Sequence, residues 1–234
     1  ALRQALAHGG GSDVAGRLYG ALNAAKHADE AERMAGAWLK DHPKDALFRF
    51  VMGDVALANG QLAAAEAHYR AVMALQPDNA LALNNVAWLM VRQGKPGAAA
   101  LAERANALQP ERPALMDTLA SALAAEDQTA RAITVQKQAI AKAPDDPGLR
   151  LNLARLYIKS GDRQGARAEL EPLSKLGDKF AAQQEVARLV ERRLLPVDEE
   201  RRGSDGGRVQ LASGGHAGPN GVDVHARRQP CTLQ

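Results

Sequence analysis

The sequence predicts an all-α chain built as a stack of helical hairpins. Three observations carry this. Prolines recur at Pro43, Pro77, Pro110 and Pro144, with spacings of 34, 33 and 34 residues. Between them, amphipathic stretches alternate with glycine turns at Gly60, Gly94 and Gly161. The composition is 46% hydrophobic but only 3% aromatic, and much of the apolar content is alanine, which favours helices packed through small side chains. No stretch keeps the period-two alternation of a strand. Repeats of this length bury their faces only against one another, so stacking is what makes them stable.

Ala1–His8 has room for a short helix, which Gly9, Gly10 and Gly11 break. Residues 1–11 therefore read as the remnant of a preceding repeat and a linker, as in a fragment of a longer protein. Ser12 is the expected N-cap of the next helix. From Ser12 onward the proline register marks out about five units: 12–45, 46–79, 80–112, 113–146 and 147–178. Small residues fall where the two helices of a unit cross, pairing Gly53 with Ala65, Ala87 with Ala98, Ala120 with Ala132 and Ala154 with Ala166. Small side chains at both positions let the axes approach closely. Leu18, Met52, Val86, Leu119 and Leu153 fill the adjacent column. The turn glycines suit left-handed C-caps, with Asp127 in that place in the fourth unit. Asp146-Pro147 and Asp78-Asn79 mark helix starts. The shorter 33-residue interval is assigned to one residue lost from the turn after Gly94.

Residues 179–195 form one more amphipathic helix without a partner. Phe180, Val186, Leu189, Val190 and Leu194 face the last unit, and Lys179, Gln183, Glu191 and Arg192 face water, the pattern of a capping helix. Residues 196–234 hold seven glycines and no Phe, Tyr or Trp. Such a segment buries too little to offset its ordering entropy, and disorder is expected. Its composition fits a natural tail or a shifted reading frame.

Several function classes drop out. The net charge is +3, from 30 basic and 27 acidic residues. A small, dispersed excess with few aromatics is a poor footprint for nucleic acid. No run of about 18 apolar residues is present, so no transmembrane helix is expected. Cys231 is the only cysteine and has no internal partner. The six histidines are scattered without metal-ligand spacing, and Gly94-Lys95-Pro96 lacks the glycine spacing and hydroxyl residue of a phosphate loop. No catalytic, cofactor or metal residues emerge, and the chain reads as non-catalytic.

The small residues at repeat positions 8 and 20, with proline near 32, resemble the tetratricopeptide repeat (TPR) over roughly residues 12–178. The first unit departs from the pattern, with Tyr19 at the small position and Lys26 in the turn. The segments LNNVAWL at 83–89, PALMDTLA at 113–120 and GDRQGARAELEPL at 161–173 further resemble the carboxy-terminal repeats of PEP-CTERM-system TPR-repeat lipoproteins. The TPR resemblance implies a right-handed superhelix with a concave groove lined by the first helix of each unit. The lipoprotein resemblance implies a periplasmic, outer-membrane-associated protein working with exopolysaccharide assembly.

In this register the groove positions are Phe50, Asp54 and Leu57 in the second unit. The third unit supplies Leu81, Asn84, Trp88, Val91 and Arg92. The fourth supplies Asp117, Ser121 and Ala125, and the fifth Leu151, Arg155 and Lys159. Asn84, Trp88 and Arg92 lie at i, i+4 and i+8 on one helix face. An amide, an indole and a guanidinium together offer hydrogen bonds, apolar area and charge. Packing of Trp88 against a neighbouring unit and local bonding of Asn84 are the competing reading. The carboxylate clamp known from some TPR domains is not matched, because its places hold Phe50, Asp54, Asn85, Ala114 and Thr118. The expected ligand is thus a protein or peptide in the groove, with candidate contacts Asp54, Asn84, Trp88, Arg92, Asp117, Ser121, Arg155 and Lys159. Two other readings stay open: a structural or regulatory segment of a larger enzyme, and self-association through the exposed first helix.

Overall fold

The computed structural model describes residues 1–193. Leu194 and Leu195 of the expected capping helix, and the 196–234 segment, lie outside the described residues. A short helix α1 (Leu2–Ala7) precedes five antiparallel hairpins. These are α2 (Ser12–Ala24) with α3 (Ala28–Asp41), α4 (Ala46–Ala58) with α5 (Leu62–Leu75), α6 (Ala80–Arg92) with α7 (Ala98–Leu108), α8 (Pro113–Ala125) with α9 (Thr129–Lys142), and α10 (Pro147–Ser160) with α11 (Arg163–Ser174). A 3-10 turn at Gly177–Lys179 leads to α12 (Gln183–Arg193). Second helices pack on the next first helix, α5 on α6, α7 on α8 and α9 on α10, so the hairpins stack into an all-α solenoid.

The crossings are made by small side chains. Gly53, Ala65, Ala87, Ala98, Ala120, Ala132, Ala154 and Ala166 are all buried. In the expected apolar column Leu18, Met52, Val86 and Leu153 are buried, and Leu119 is half-buried. Gly60, Gly94 and Gly161 have positive φ, and Asp127 takes the same left-handed conformation at φ 59. Asn79 caps α6 by accepting from the Ala82 N–H at 3.0 Å, and Asp146 caps α10 through Gly148 N–H at 2.8 Å.

Four details differ from the sequence reading. Gly11, not Ser12, is the N-cap residue of α2. One residue is missing between Gly94 and the buried Ala98, as the register requires, but the shortening falls on the helix start: link 93–97 is longer than link 59–61, and α7 has 11 residues where α5 and α9 have 14. Gly97, left-handed at φ 86, replaces the first turn of the helix. The backbone donors this frees are satisfied from the next hairpin, because Glu126 Oε1 accepts from Gly97 N–H at 3.1 Å and from Ala99 N–H at 3.0 Å. Glu126→Ala is expected to cost about 1 kcal/mol, the usual worth of a lost cap. Urea unfolding measures it, and an unchanged midpoint would remove the capping role.

The other two differences concern the end of the stack. The capping helix begins at Gln183, after an interruption between Lys179 and Ala182. On it, Val186 is buried with Leu151, Ala154, Leu170 and Leu173, while Val190 is exposed and Gln183 is tied down through its amide to the Ser174 carbonyl at 3.0 Å.

Candidate functional site

First helices of successive hairpins line one side of the stack, and there α6, α8 and α10, with Leu57 of α4, enclose an open recess of ≈ 430 Å³. Volumes of this order suit a bound side chain or short segment. Leu57 and Trp88 form its apolar wall. Asn84, Asn85, Asp117 and Asn152 supply polar groups, and Asp146 stands at its edge.

Asn84 donates its amide to Asn85 Oδ1 at 3.3 Å, while its own Oδ1 is buried with no hydrogen-bond partner. Buried polar atoms are nearly always satisfied, so the Asn84 amide is an unusual element of the recess wall. Trp88 is half-buried, and the Arg92 guanidinium lies 5.4 Å from its ring centroid. That is cation–π distance.

Asp117 is held from below and from the side. Its Oδ1 accepts from Gln136 Nε2 and from Asn152 Nδ2, both at 2.7 Å. Gln136 is wholly buried and also donates to the Leu149 carbonyl at 2.9 Å. Burial pushes the Asp117 carboxyl above the usual range, the two amide bonds oppose this, and the negative charge of Asp146 adds to it.

Asp54 is exposed and accepts the Tyr69 hydroxyl at 2.6 Å. Burial, together with this carboxylate, raises the Tyr69 pKa. Phe50 packs against the Tyr69 ring at 5.2 Å and is taken up in the hairpin.

Of the candidate residues, Asn84, Trp88 and Asp117 line the recess together, and Arg92 flanks it through Trp88. Asp54 lies outside the recess lining on α4, bonded to Tyr69 of its own hairpin, and Ser121 is half-buried on α8, also outside the lining. Arg155 and Lys159 are engaged elsewhere. Arg155 makes a two-point contact with Glu185 of α12 at 2.8 and 2.6 Å and also donates to Asn152 Oδ1. Lys159 bridges to Asp127 at 3.0 Å and to the Ala124 carbonyl. Leu151, expected in the groove, is buried beneath α12. The capping helix therefore takes up Arg155 and Leu151 of the last hairpin, while Lys159 is held by the fourth.

Four contributors escaped the sequence reading: Asn85, Asn152, Gln136 and Asp146. Asn85, Thr118 and Asn152 share one place in three successive hairpins and line the recess, a polar column visible in the register. Gln136 and Tyr69 occupy equivalent places on second helices, and each sends a polar tip to an aspartate of the first helix. No periodicity marks that role.

Among the described residues there is no cluster of three or more His, Cys, Asp or Glu able to hold a metal ion. No helix there is long and apolar enough to cross a membrane.

Hairpins of this length, with small crossing pairs and first helices along one side, form a helical-hairpin solenoid of the tetratricopeptide-repeat type in fold. Residues 123–190 match the family model for the tetratricopeptide repeat. Among solved structures, the chain resembles TTC0263, a thermophilic TPR protein of Thermus thermophilus, with TM-score 0.59, 21% identity and coverage of 79% of this chain and 100% of that one. It also resembles YrrB, described as a TPR protein with an unusual peptide-binding site, with TM-score 0.62, 14% identity and 81% and 98% coverage. A mutant O-GlcNAc transferase of Thermobaculum terrenum matches with TM-score 0.51 and 26% identity over 54% of this chain and 25% of that one.

Among curated proteins, cellulose synthase 1 operon protein C of Komagataeibacter xylinus is 29% identical over 126 residues, 53% of this chain and 10% of that protein. Cellulose synthase operon protein C of Komagataeibacter sucrofermentans is 31% identical over 117 residues, 48% of this chain and 9% of that protein. The chain thus spans about a tenth of the length of these curated relatives.

Proposed function

We propose that the chain is a non-catalytic scaffold that holds a segment of a partner protein in the groove formed by α4, α6, α8 and α10. The carrying observation is the recess itself, where the Trp88 indole stands beside the unpartnered Asn84 Oδ1 and the Asp117 carboxylate. Apolar area supplies affinity there and the polar atoms fix orientation. The reading includes the division into five TPR units, 12–45, 46–79, 80–112, 113–146 and 147–178. It also includes the groove contacts Asp54, Asn84, Trp88, Arg92, Asp117 and Ser121, with Arg155 and Lys159 serving to hold the groove's far end.

The cellular setting is bacterial exopolysaccharide assembly at the envelope, on the periplasmic side and associated with the outer membrane. The partial likeness to cellulose synthase operon proteins C supports the exopolysaccharide setting. The segments LNNVAWL, PALMDTLA and GDRQGARAELEPL add the resemblance to PEP-CTERM-system lipoproteins. A second reading is a structural or regulatory segment of a larger enzyme, favoured by the match to a quarter of the O-GlcNAc transferase chain.

The Trp88→Ala/Asn84→Ala double variant tests the groove. It should retain its helical circular dichroism and lose at least about tenfold in partner affinity, as removal of a central aromatic anchor does. A folded double variant that captures partner from envelope extract as well as the parent chain would defeat the assignment.

A further inference from the structure

We propose that the recess between α6, α8 and α10 receives a cationic side chain, a lysine ammonium or arginine guanidinium, carried on an exposed segment of the partner protein. The proposal rests on the groove reading and specifies its chemistry. Two carboxylates, Asp117 and Asp146, belong to the lining, and neither lysine nor arginine does. Among the described residues, none of the ion pairs reaches either carboxylate. Arg155 acts on Asp117 without pairing with it, its guanidinium being held by Glu185 through Nε and Nη2 and by Asn152 Oδ1 through Nη1.

Asp117 and Asp146 are close enough for the charge of one to disfavour ionisation of the other. A cation between them removes that repulsion and gains both attractions. The remaining groups suit the same guest. Asn84, Asn85 and Asn152 line the recess with side-chain amides, whose oxygens accept, and lysine and arginine carry donors only. The Trp88 ring already takes one guanidinium, that of Arg92, which shows that its environment tolerates a cation. Leu57 and the indole cover the aliphatic stem, as apolar surface does for long basic side chains. An acidic segment meets two carboxylates and is excluded. A neutral sugar could use the acceptors and the indole but would leave the two charges unbalanced.

The test titrates the full chain, labelled for NMR, with capped hexapeptides Gly-Leu-Xaa-Leu-Gly-Ser in which Xaa is Lys, Arg, Gln or Glu. Cellohexaose serves as the neutral sugar probe. The Lys and Arg peptides should shift the Trp88 indole N–H and the Asn84 side-chain amide, binding at least about tenfold tighter than the Gln peptide. Asp117→Asn and, separately, Asp146→Asn should each erase most of that preference. Asparagine retains the helix cap at position 146, so this variant stays informative if the other folds poorly.

Equal shifts from the Gln and Lys peptides would leave the groove reading standing and overturn the cationic guest. Binding of the Glu peptide at equal strength overturns it too, as does a response of the recess to cellohexaose but not to the Lys peptide. Silence of Trp88 and Asn84 towards every peptide would sink the groove reading and the guest together.

Discussion

Tyr69→Ala is expected to cost about 4 kcal/mol, in the range found when a buried aromatic is truncated. Tyr69 is 0% exposed, its ring packs edge-on to Phe50 at 5.2 Å, and its hydroxyl donates to Asp54 at 2.6 Å. The ring has room because residue 53 is glycine. A Cβ there would stand 2.6 Å from Tyr69 Cε1 and 2.9 Å from Cδ1. The ring is locked on both sides, so neither it nor the helix yields easily. Gly53→Ala should therefore cost about 1–2 kcal/mol, overpacking outweighing alanine's better helix propensity of about 1 kcal/mol.

In the Tyr69→Ala background the same Gly53→Ala change should become stabilising. Chemical denaturation of the four chains completes the cycle. A coupling energy near zero would show that the two residues do not share the space.

Glu66→Gln is expected to destabilise by about 2–3 kcal/mol at neutral pH and to flatten the acid limb of the stability curve. Glu66 is only 6% exposed and joins two hairpins. It accepts from Arg70 Nε at 3.0 Å and Nη2 at 2.8 Å, from Gln93 Nε2 at 2.8 Å and from Lys95 Nζ at 2.6 Å. Burial alone would raise its pKa. The Lys95, Arg70 and Gln93 bonds outweigh burial and pull the value down from 4.5 to about 2.

A carboxyl whose folded pKa is depressed contributes its full stability above the unfolded value. The contribution is lost as pH falls from about 4.5 through about 2. A shift of that size corresponds to about 3 kcal/mol. Arg70 and Lys95 are half-exposed and regain water when the carboxylate is removed, which places the variant at the lower end for a broken buried pair. Stability measured between pH 7 and pH 2 checks both parts, and parallel curves for parent and Glu66→Gln would refute the linkage.

Both predictions concern places where repeats with the same pattern are filled differently. In the first hairpin Tyr19 comes from α2 and shares a cluster with Ala31 and Ala35 of α3. In the second, the glycine is on α4 and the tyrosine on α5. The bulky ring changes helix, and the total volume between the helices is shared out accordingly. Reading Gly53 against Ala65 alone locates the crossing but misses the ring that the glycine accommodates.

The candidate site divides the same way. The stripe Asn84, Trp88 and Arg92 was legible because helical spacing alone puts residues at i, i+4 and i+8 on one face. Asp117 was legible through the register. That Arg155 and Leu151 leave the groove was not, because α12 reaches them from outside the repeat pattern, through Glu185 and Val186. Nor was Gln136 legible, since its role depends on a side chain passing from the second helix to the first.

By itself the sequence determined the all-helical class, the hairpin stack, its turns and its small crossing residues. These are local or periodic properties, and each repeat states them again. Only the tertiary structure decided which cations are taken up by Glu66 and Glu185, which large side chain fills each crossing, and which polar atoms meet around one recess. Those outcomes come from pairings between residues of different helices and hairpins, where distance and burial, and not spacing along the chain, determine which charge finds which partner.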